Sequence, residues 1–146
     1  MIPSKIELLL SNQEFNFNRS DVELAELEML KLGIEASSEF FEFYKRVCVV
    51  NLHSESSYEE LSDVSEPSSQ VAVGTNFVHE VWNVPSEFVC ITTCEGEGCY
   101  LYSKKTRSVY DFYLSKREEF IKDPKPSWKT FYDFIDWYLS PKKYVE

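Results

Sequence analysis

The stretch that decides the fold runs FVCITTCEGEGCYLY over residues 88–102. β-branched and aromatic residues fill both of its ends, and the tetrapeptide 95–98 between them holds two glycines. Two β-prone runs joined by a glycine-containing turn are typical of a β-hairpin. A further run of this kind follows at 108–113, so the sequence predicts a second hairpin directly after the first.

Helices are predicted on both sides of these strands in the sequence. Serine followed three residues later by glutamate, the spacing of a capping box, indicates helix starts at Ser4 and Ser20. Three more helices are predicted from apolar residues at helical spacing and from flanking residues that begin or end helices. They cover residues 37–46, 115–122 and 127–139. The apolar stripe of the first consists of Phe40, Phe43, Tyr44 and Val47. The last is capped by Ser127, and its stripe consists of Trp128, Phe131, Ile135 and Tyr138.

The helix that begins after Ser20 carries three leucines at a regular interval. Leu24, Leu27 and Leu30 lie close to one face at helical spacing, which predicts that this face packs on the core. Gly33 suits the position just beyond the last helical residue, where the backbone turns left-handed.

Short strands are also predicted in the middle of the chain, at 47–52, 71–74 and 77–82, because these runs are rich in valine and aromatic residues. Residues 53–70 are polar and acidic, and we expect a surface loop with one helical turn at 58–61. Together these elements predict an α+β fold. It has a central, mostly antiparallel sheet, helices packed on one face, and N-terminal and C-terminal helices flanking it. The length fits a single domain over 1–146.

The charge of the chain is strongly negative and uneven. The formal net charge is −10, and residues 1–100 carry five basic groups against eighteen acidic ones. Such a surface repels phosphate, so we expect no nucleic-acid or anionic-membrane partner and favour a basic protein partner. No run is long enough for a membrane span and no signal peptide is evident, so we expect a cytoplasmic protein with free thiols.

No catalytic, cofactor-binding or metal-binding motif is recognised. Cys90, Cys94 and Cys99 lack the short Cys-x-x-Cys spacing of structural zinc sites, and we interpret them as buried thiols, with zinc binding or a redox switch as alternatives. His53 and His79 have no partner at a catalytic offset. The two glycines at 96 and 98 lie beside glutamates that would repel a phosphate group.

Acidic residues of the 53–70 loop and of the glycine-containing turn are the candidates for contact with a partner. A row of carboxylates can face a basic groove as a partial mimic of nucleic-acid phosphate, and an exposed tyrosine adds contact area. The alternative is a loop that is acidic only for solubility. The predicted partner-binding residues are Glu55, Tyr58, Glu59, Glu60, Asp63, Glu66, Glu95 and Glu97.

In their order and spacing, these landmarks resemble the SUKH superfamily, the Smi/Knr-type proteins, over roughly residues 21–139. The matching features are Gly33, the aromatic residues Phe40, Phe43 and Tyr44, the 88–102 stretch around Gly96 and Gly98, Val109-Tyr110-Asp111, and the stretch from Ser127 to Phe134. Where many members have Leu-Pro after the first glycine, this chain has Ile34-Glu35-Ala36-Ser37, and Ser37 can cap the helix that proline would begin.

The resemblance implies a binding protein without enzymatic activity. Bacterial members are commonly immunity proteins that neutralise polymorphic or contact-dependent toxins, often nucleases, and other members are interaction modules in signalling or cell-wall regulation. We therefore expect an immunity protein that blocks the active site or substrate groove of one cognate toxin domain. The alternative is an intracellular interaction or scaffold module of the same fold. We expect a monomer or a weak dimer.

Overall fold

The 88–102 stretch and its continuation form a three-stranded antiparallel sheet. In the computed structural model, which describes residues 1–142, the strands are Phe88–Cys90 (β1), Gly98–Ser103 (β2) and Val109–Tyr113 (β3), in the order β1-β2-β3. Both predicted hairpins are confirmed, because β2 pairs antiparallel with β1 on one side and with β3 on the other. Residues 143–146, which the predicted single domain includes, lie outside the described residues.

Six helices accompany the sheet within residues 1–142, and the α+β class is confirmed. They are Ser4–Ser11 (α1), Val22–Lys31 (α2), Glu39–Arg46 (α3), Gln70–Glu80 (α4), Arg117–Lys122 (α5) and Phe131–Leu139 (α6). None of the helices in this range has the length and hydropathy of a membrane span.

Helices cover both faces of the sheet, where the sequence predicted one. Alternate residues of a strand point to opposite faces, so Val89 and Tyr102 pack with the core residues of α1, α2, α3 and α6. Cys90 and Leu101 point the other way and pack with Val78 of α4 and with α5. The sheet therefore lies between two apolar clusters, which explains why all three residues of β1 are buried.

The second face is covered by a segment whose secondary structure is wrongly predicted from the sequence. Residues 71–74 and 77–82 were expected as strands, but α4 occupies Gln70–Glu80. Val71, Thr75 and Val78 are its buried residues, and their intervals of four and three place them on one side of a helix. The β-branched content of the segment misled the prediction, since packing against the sheet overrides intrinsic propensity.

The predicted strand at 47–52 and the predicted helical turn at 58–61 are also wrong. Residues 48–60 have no helix or strand, and Val47 makes only an isolated antiparallel bridge to Asn18. The segment 61–65 is buried rather than a surface loop. Its backbone polar groups find partners outside regular secondary structure, for example in the hydrogen bond from the N–H of Ser62 to the carbonyl of Ile91 at 2.9 Å.

The two aromatic helices pack as their stripes predict. All four predicted stripe residues of α3 are buried, and Phe40 lies 4.8 Å from Tyr102 and 5.2 Å from Phe131 between ring centroids. Contacts of this kind add about 0.5–1.5 kcal/mol per pair beyond the area they bury. Helix α6 begins later than predicted, because Thr130 and not Ser127 caps it by accepting a 3.1 Å hydrogen bond from the N–H of Asp133.

Helix α2 has the predicted extent but the opposite face towards the core. Ala25 and Met29 are fully buried, whereas the leucines expected to pack inward are half exposed. The end of the helix is as predicted: Gly33 has φ +83°, and the N–H of Ile34 donates to the carbonyl of Met29 at 3.0 Å. At the other end, Asp21 and not Ser20 holds the cap position, and α1 likewise begins after Pro3 with no side-chain cap.

Candidate functional site

The acidic segments around residues 60 and 95 lie side by side, although they are far apart in the sequence. Leu61 and Thr92 form an antiparallel bridge. On either side of it, the N–H of Ser62 donates to the carbonyl of Ile91, and the N–H of Thr93 donates to the carbonyl of Glu60, each at 2.9 Å. The bridge thus extends the pairing of the sheet beyond β1 and places the acidic loop next to the glycine-containing turn.

The side chain of Glu59 links the two segments through hydrogen bonds. Its side-chain Oε2 accepts hydrogen bonds from the hydroxyl of Thr93 and from the backbone N–H of Glu95, the latter at 3.1 Å. Burial raises the pKa of Glu59, and the hydrogen bonds from Thr93 and Glu95 oppose that rise. Only 7% of Glu59 is exposed, so the prediction that it faces a partner is corrected: it holds the turn in position.

Four of the predicted contact residues next to Glu59 are exposed. Tyr58 is 83% exposed, and Glu60, Glu95 and Glu97 are also exposed. We call these four residues the acidic surface. Two of them, Glu95 and Glu97, lie in a single 3-10 turn over Glu95–Glu97.

Glu55 and Glu66 are exposed as well, but no hydrogen bond described within residues 1–142 joins them to the acidic surface. The carboxylate of Glu55 accepts a 2.9 Å hydrogen bond from the backbone N–H of Lys142. Glu66 follows the buried segment 61–65, and its N–H donates to Asp63 at 2.9 Å. The eight predicted residues therefore do not form one continuous site.

Asp63 is a core residue, so the prediction that it contacts a partner is wrong. Its side chain has no exposed area and lies 2.6 Å from Nη2 of Arg19, whose side chain is also fully shielded. The other Asp63 oxygen accepts hydrogen bonds from the N–H groups of Ser65 and Glu66. Burial alone would lower the pKa of Arg19, but the bonds to Asp63 and Asp21 outweigh it and raise that pKa.

Three cysteines converge on the opposite face of the sheet from Tyr102. The sulfur atoms of Cys90, Cys94 and Cys99, here called the cysteine cluster, all lie within 4.8 Å of one another, and Cys90 and Cys94 are 3.5 Å apart. Cys90 and Cys99 are buried and Cys94 is half-buried. Hydrogen bonding from Cys90 and Cys99 lowers the pKa of Cys94, and the hydrogen bond to Cys94 raises the pKa of Cys90. The sequence predicted buried thiols but not that all three meet.

A cleft elsewhere on the described part of the chain contains both a histidine and carboxylates. It has a volume of about 530 Å³ and is lined in part by Gln13, Glu14, His53 and Glu55. Within residues 1–142, no hydrogen bond joins the imidazole of His53 to either carboxylate. His79 is engaged structurally, since its Nε2 lies 2.7 Å from the carbonyl oxygen of Phe88.

A second surface feature was missed from the sequence. Leu24, Leu27 and Leu30 of α2 are 46%, 49% and 56% exposed, so they form an apolar stripe on the outside of the molecule. The signal that could have revealed it is the pair Ala25 and Met29, which share the opposite side of the helix at an interval of four residues. We call these three leucines the leucine stripe.

No protein-family model, curated protein sequence or solved structure matches the chain. The resemblance to the SUKH superfamily therefore stays a prediction.

Proposed function

We propose that this chain is a binding protein that recognises a basic protein partner through the acidic surface. The observation that carries the proposal is the bridge between Leu61 and Thr92, which brings Tyr58 and Glu60 next to the turn with Glu95 and Glu97. In the most specific form of the proposal, the partner is a cognate toxin domain that acts on nucleic acid and is therefore basic, and the chain is its immunity protein. The resemblance to SUKH proteins motivates this form.

The mechanism in this proposal is steric and electrostatic. Carboxylates of Glu60, Glu95 and Glu97 occupy positions on the partner where substrate phosphates would otherwise bind. Tyr58 supplies a large contact area with little loss of side-chain entropy. The overall charge of −10 accelerates the encounter with a basic partner, and no bond is made or broken.

The anchoring of the acidic surface supports this role. Because Glu59 is hydrogen-bonded to the N–H of Glu95, the turn does not have to be ordered when the partner arrives. A surface that is ordered before binding loses less conformational entropy on association. The proposal places the chain in the cytoplasm, where its cysteines stay reduced, and assigns it neither a nucleic-acid nor a membrane partner.

Co-expression with the product of the adjacent gene tests the proposal. If the gene immediately upstream encodes a protein with a basic C-terminal domain, that domain is expressed alone, with the wild-type chain, or with the triple variant Glu60→Lys, Glu95→Lys, Glu97→Lys. We expect growth arrest by the domain alone, rescue by the wild-type chain, and loss of rescue with the triple variant. A control variant, Glu14→Lys, Glu23→Lys, Glu80→Lys, makes the same change in net charge at exposed positions elsewhere and should rescue.

Two results would contradict the proposal. An upstream gene without a basic C-terminal domain removes the basis for the immunity role. A triple variant that rescues as well as the wild type shows that the acidic surface is not the binding site.

The leucine stripe favours the second candidate, an interaction or scaffold module. Three half-exposed leucines on one helix are suited to an apolar partner rather than a basic groove. The variant Leu24→Gln, Leu27→Gln, Leu30→Gln tests this surface. Its loss of rescue, without loss for the lysine triple variant, would move toxin binding to α2, whereas the scaffold role requires a wild-type chain that does not rescue at all.

A further inference from the structure

The three sulfur atoms of the cysteine cluster have the mutual spacing of ligands around one metal ion. In tetrahedral zinc–thiolate centres the Zn–S distance is about 2.3 Å, which separates neighbouring sulfurs by about 3.8 Å. The Sγ atoms of Cys90 and Cys94 are 3.5 Å apart, and all three sulfurs lie within 4.8 Å of one another. Small side-chain rotations are therefore enough to bring three thiolates onto one ion.

We propose that Cys90, Cys94 and Cys99 bind one Zn²⁺ ion. Thiolates are soft ligands that select zinc over magnesium or calcium, and three protein ligands leave the fourth position for water. Cys94 is half-buried and the other two cysteines are buried, so solvent reaches the site from the side of Cys94. Each thiol that binds the ion releases its proton, and three thiolates give the centre a charge of −1 with a neutral water molecule.

The backbone around the cluster is already held in place by other contacts. The N–H of Cys90 donates a 3.0 Å hydrogen bond to Oγ1 of Thr75 in α4, and β1 and β2 carry Cys90 and Cys99 on the same face of the sheet. Gly74 is the point of close approach from α4, since a Cβ there would lie 3.5 Å from the sulfur of Cys90. Ligands on a rigid scaffold bind a metal with little reorganisation.

The three cysteines lie in different parts of the first hairpin, so a bound ion would connect those parts. Cys90 lies in β1, Cys94 lies in the connection that follows it, and Cys99 lies in β2. One ion bound to all three would cross-link both strands of the first hairpin and the connection between them. The exposed carboxylates of Glu95 and Glu97 on the same connection add negative potential that favours a cation.

A disulfide is the competing state of these sulfurs. It would require one pair to approach to about 2.05 Å and would leave the third cysteine as a thiol. The metal uses all three sulfurs, whereas a disulfide uses two, so the two states differ in the number of cysteines on which they depend.

Metal binding by the reduced chain tests the inference. The chain is reduced, freed of metal and titrated anaerobically with Co²⁺ and then Zn²⁺, with a chromophoric chelator as competitor for zinc. We expect one equivalent of Co²⁺ with an intense thiolate-to-cobalt charge-transfer band, and displacement of that cobalt by one equivalent of Zn²⁺. The midpoint of thermal unfolding should rise when zinc is added.

Two single variants make the test specific. Cys94→Ser changes the least buried member of the cluster and should weaken zinc binding by at least about a hundredfold, more than loss of an outer-shell partner. Cys48→Ser is the matched control, because Cys48 lies outside the cluster, and it should bind like the wild type.

The inference is overturned if the folded, reduced wild-type chain gives no charge-transfer band, or if Cys94→Ser binds zinc as tightly as the wild type. Should Cys94→Ser fail to fold, the spectrum and stoichiometry of the wild type alone decide the result. Formation of a disulfide in air by a chain that binds no metal when reduced also overturns it. None of these measurements depends on the proposed protein partner.

Discussion

The guanidinium of Arg19 donates a 2.6 Å hydrogen bond to the carboxylate of Asp63, and neither side chain has any exposed area. Arg19 also donates to the carbonyl groups of Tyr44 and Val47, at the end of α3. The same Asp63 oxygen accepts from the N–H of Val49 at 3.1 Å. One buried ion pair therefore ties the irregular segments before α2, after α3 and before α4 to one another.

Removal of the Asp63 charge should destabilise the fold strongly. Asp63→Asn removes the fully buried counter-charge of Arg19 and leaves only the partly exposed carboxylate of Asp21, 2.9 Å from Nη1, so we expect a loss of about 3–5 kcal/mol in the free energy of unfolding. Urea denaturation followed by circular dichroism measures it. Glu66→Gln is the control, because this carboxylate lies three residues further on and is exposed. Equal stability of the two variants would show that the ion pair does not hold these segments.

The carboxylate of Asp21 predicts part of the acid sensitivity. Partial burial alone would raise the pKa of Asp21, but hydrogen bonds from Ser65 and Arg19 outweigh it and hold that pKa below its usual 3.8. A carboxyl group whose pKa is lower in the folded state contributes stability above the unfolded pKa, and the contribution is lost as the pH falls through the folded pKa.

Asp21→Asn should therefore be less stable than the wild type at neutral pH by about 1 kcal/mol. The difference should shrink as the pH falls below about 4. Denaturation midpoints measured across this range check the prediction, with Glu23→Gln, an exposed neighbour, as the control. A difference that stays constant down to about pH 2 would contradict the linkage.

The orientation of α2 predicts opposite outcomes for Leu27 and Met29, which are two positions apart in the sequence. Leu27 is 49% exposed, so Leu27→Gln should change the free energy of unfolding by no more than about 0.5 kcal/mol. Met29 is fully buried, and Met29→Ala should cost about 2–5 kcal/mol. Thermal or urea denaturation of the two variants measures both changes in stability. The reverse order would mean that the leucine stripe packs on the core, as the sequence alone suggests.

The two glycines of the first hairpin should differ in what they tolerate. A Cβ at Gly98 would lie 2.9 Å from the carbonyl oxygen of Phe112 in the neighbouring strand, so Gly98→Ala should cost about 1–3 kcal/mol. Gly96 has φ +69° and open space around it, and Asn adopts this conformation with little strain. Gly96→Asn should thus be the milder substitution, and a Gly98→Ala variant as stable as the wild type would contradict this packing.

The hairpins, α3 and the presence and end of α6 could be predicted because their signals are local. Turn residues, β-branched runs and an aromatic stripe lie within a few residues of the elements they specify. The environment of Asp63 could not be predicted, since its partner Arg19 is 44 residues away. Residues 70–80 show the same limit: their valines favour strands locally, and only packing against β1 makes them a helix.

The candidate site was predicted in composition but not in arrangement. Glu60, Glu95 and Glu97 are exposed as expected, yet their proximity depends on the bridge between Leu61 and Thr92, which no local pattern indicates. Glu59 has the same chemistry as Glu60 but points inward to Thr93 and the N–H of Glu95. The difference between a contact residue and an anchoring residue is set by this long-range pairing.

Association kinetics with a basic toxin domain identified in the upstream gene test the central claim most directly. The rate constant is measured by stopped flow at increasing ionic strength for the wild type and for the Glu60→Lys, Glu95→Lys, Glu97→Lys variant. We expect the wild-type association rate to fall steeply with salt while its dissociation rate changes little, and the variant to associate slowly at every salt concentration. A variant that associates as fast as the wild type, or a wild-type rate indifferent to salt, would contradict binding through the acidic surface.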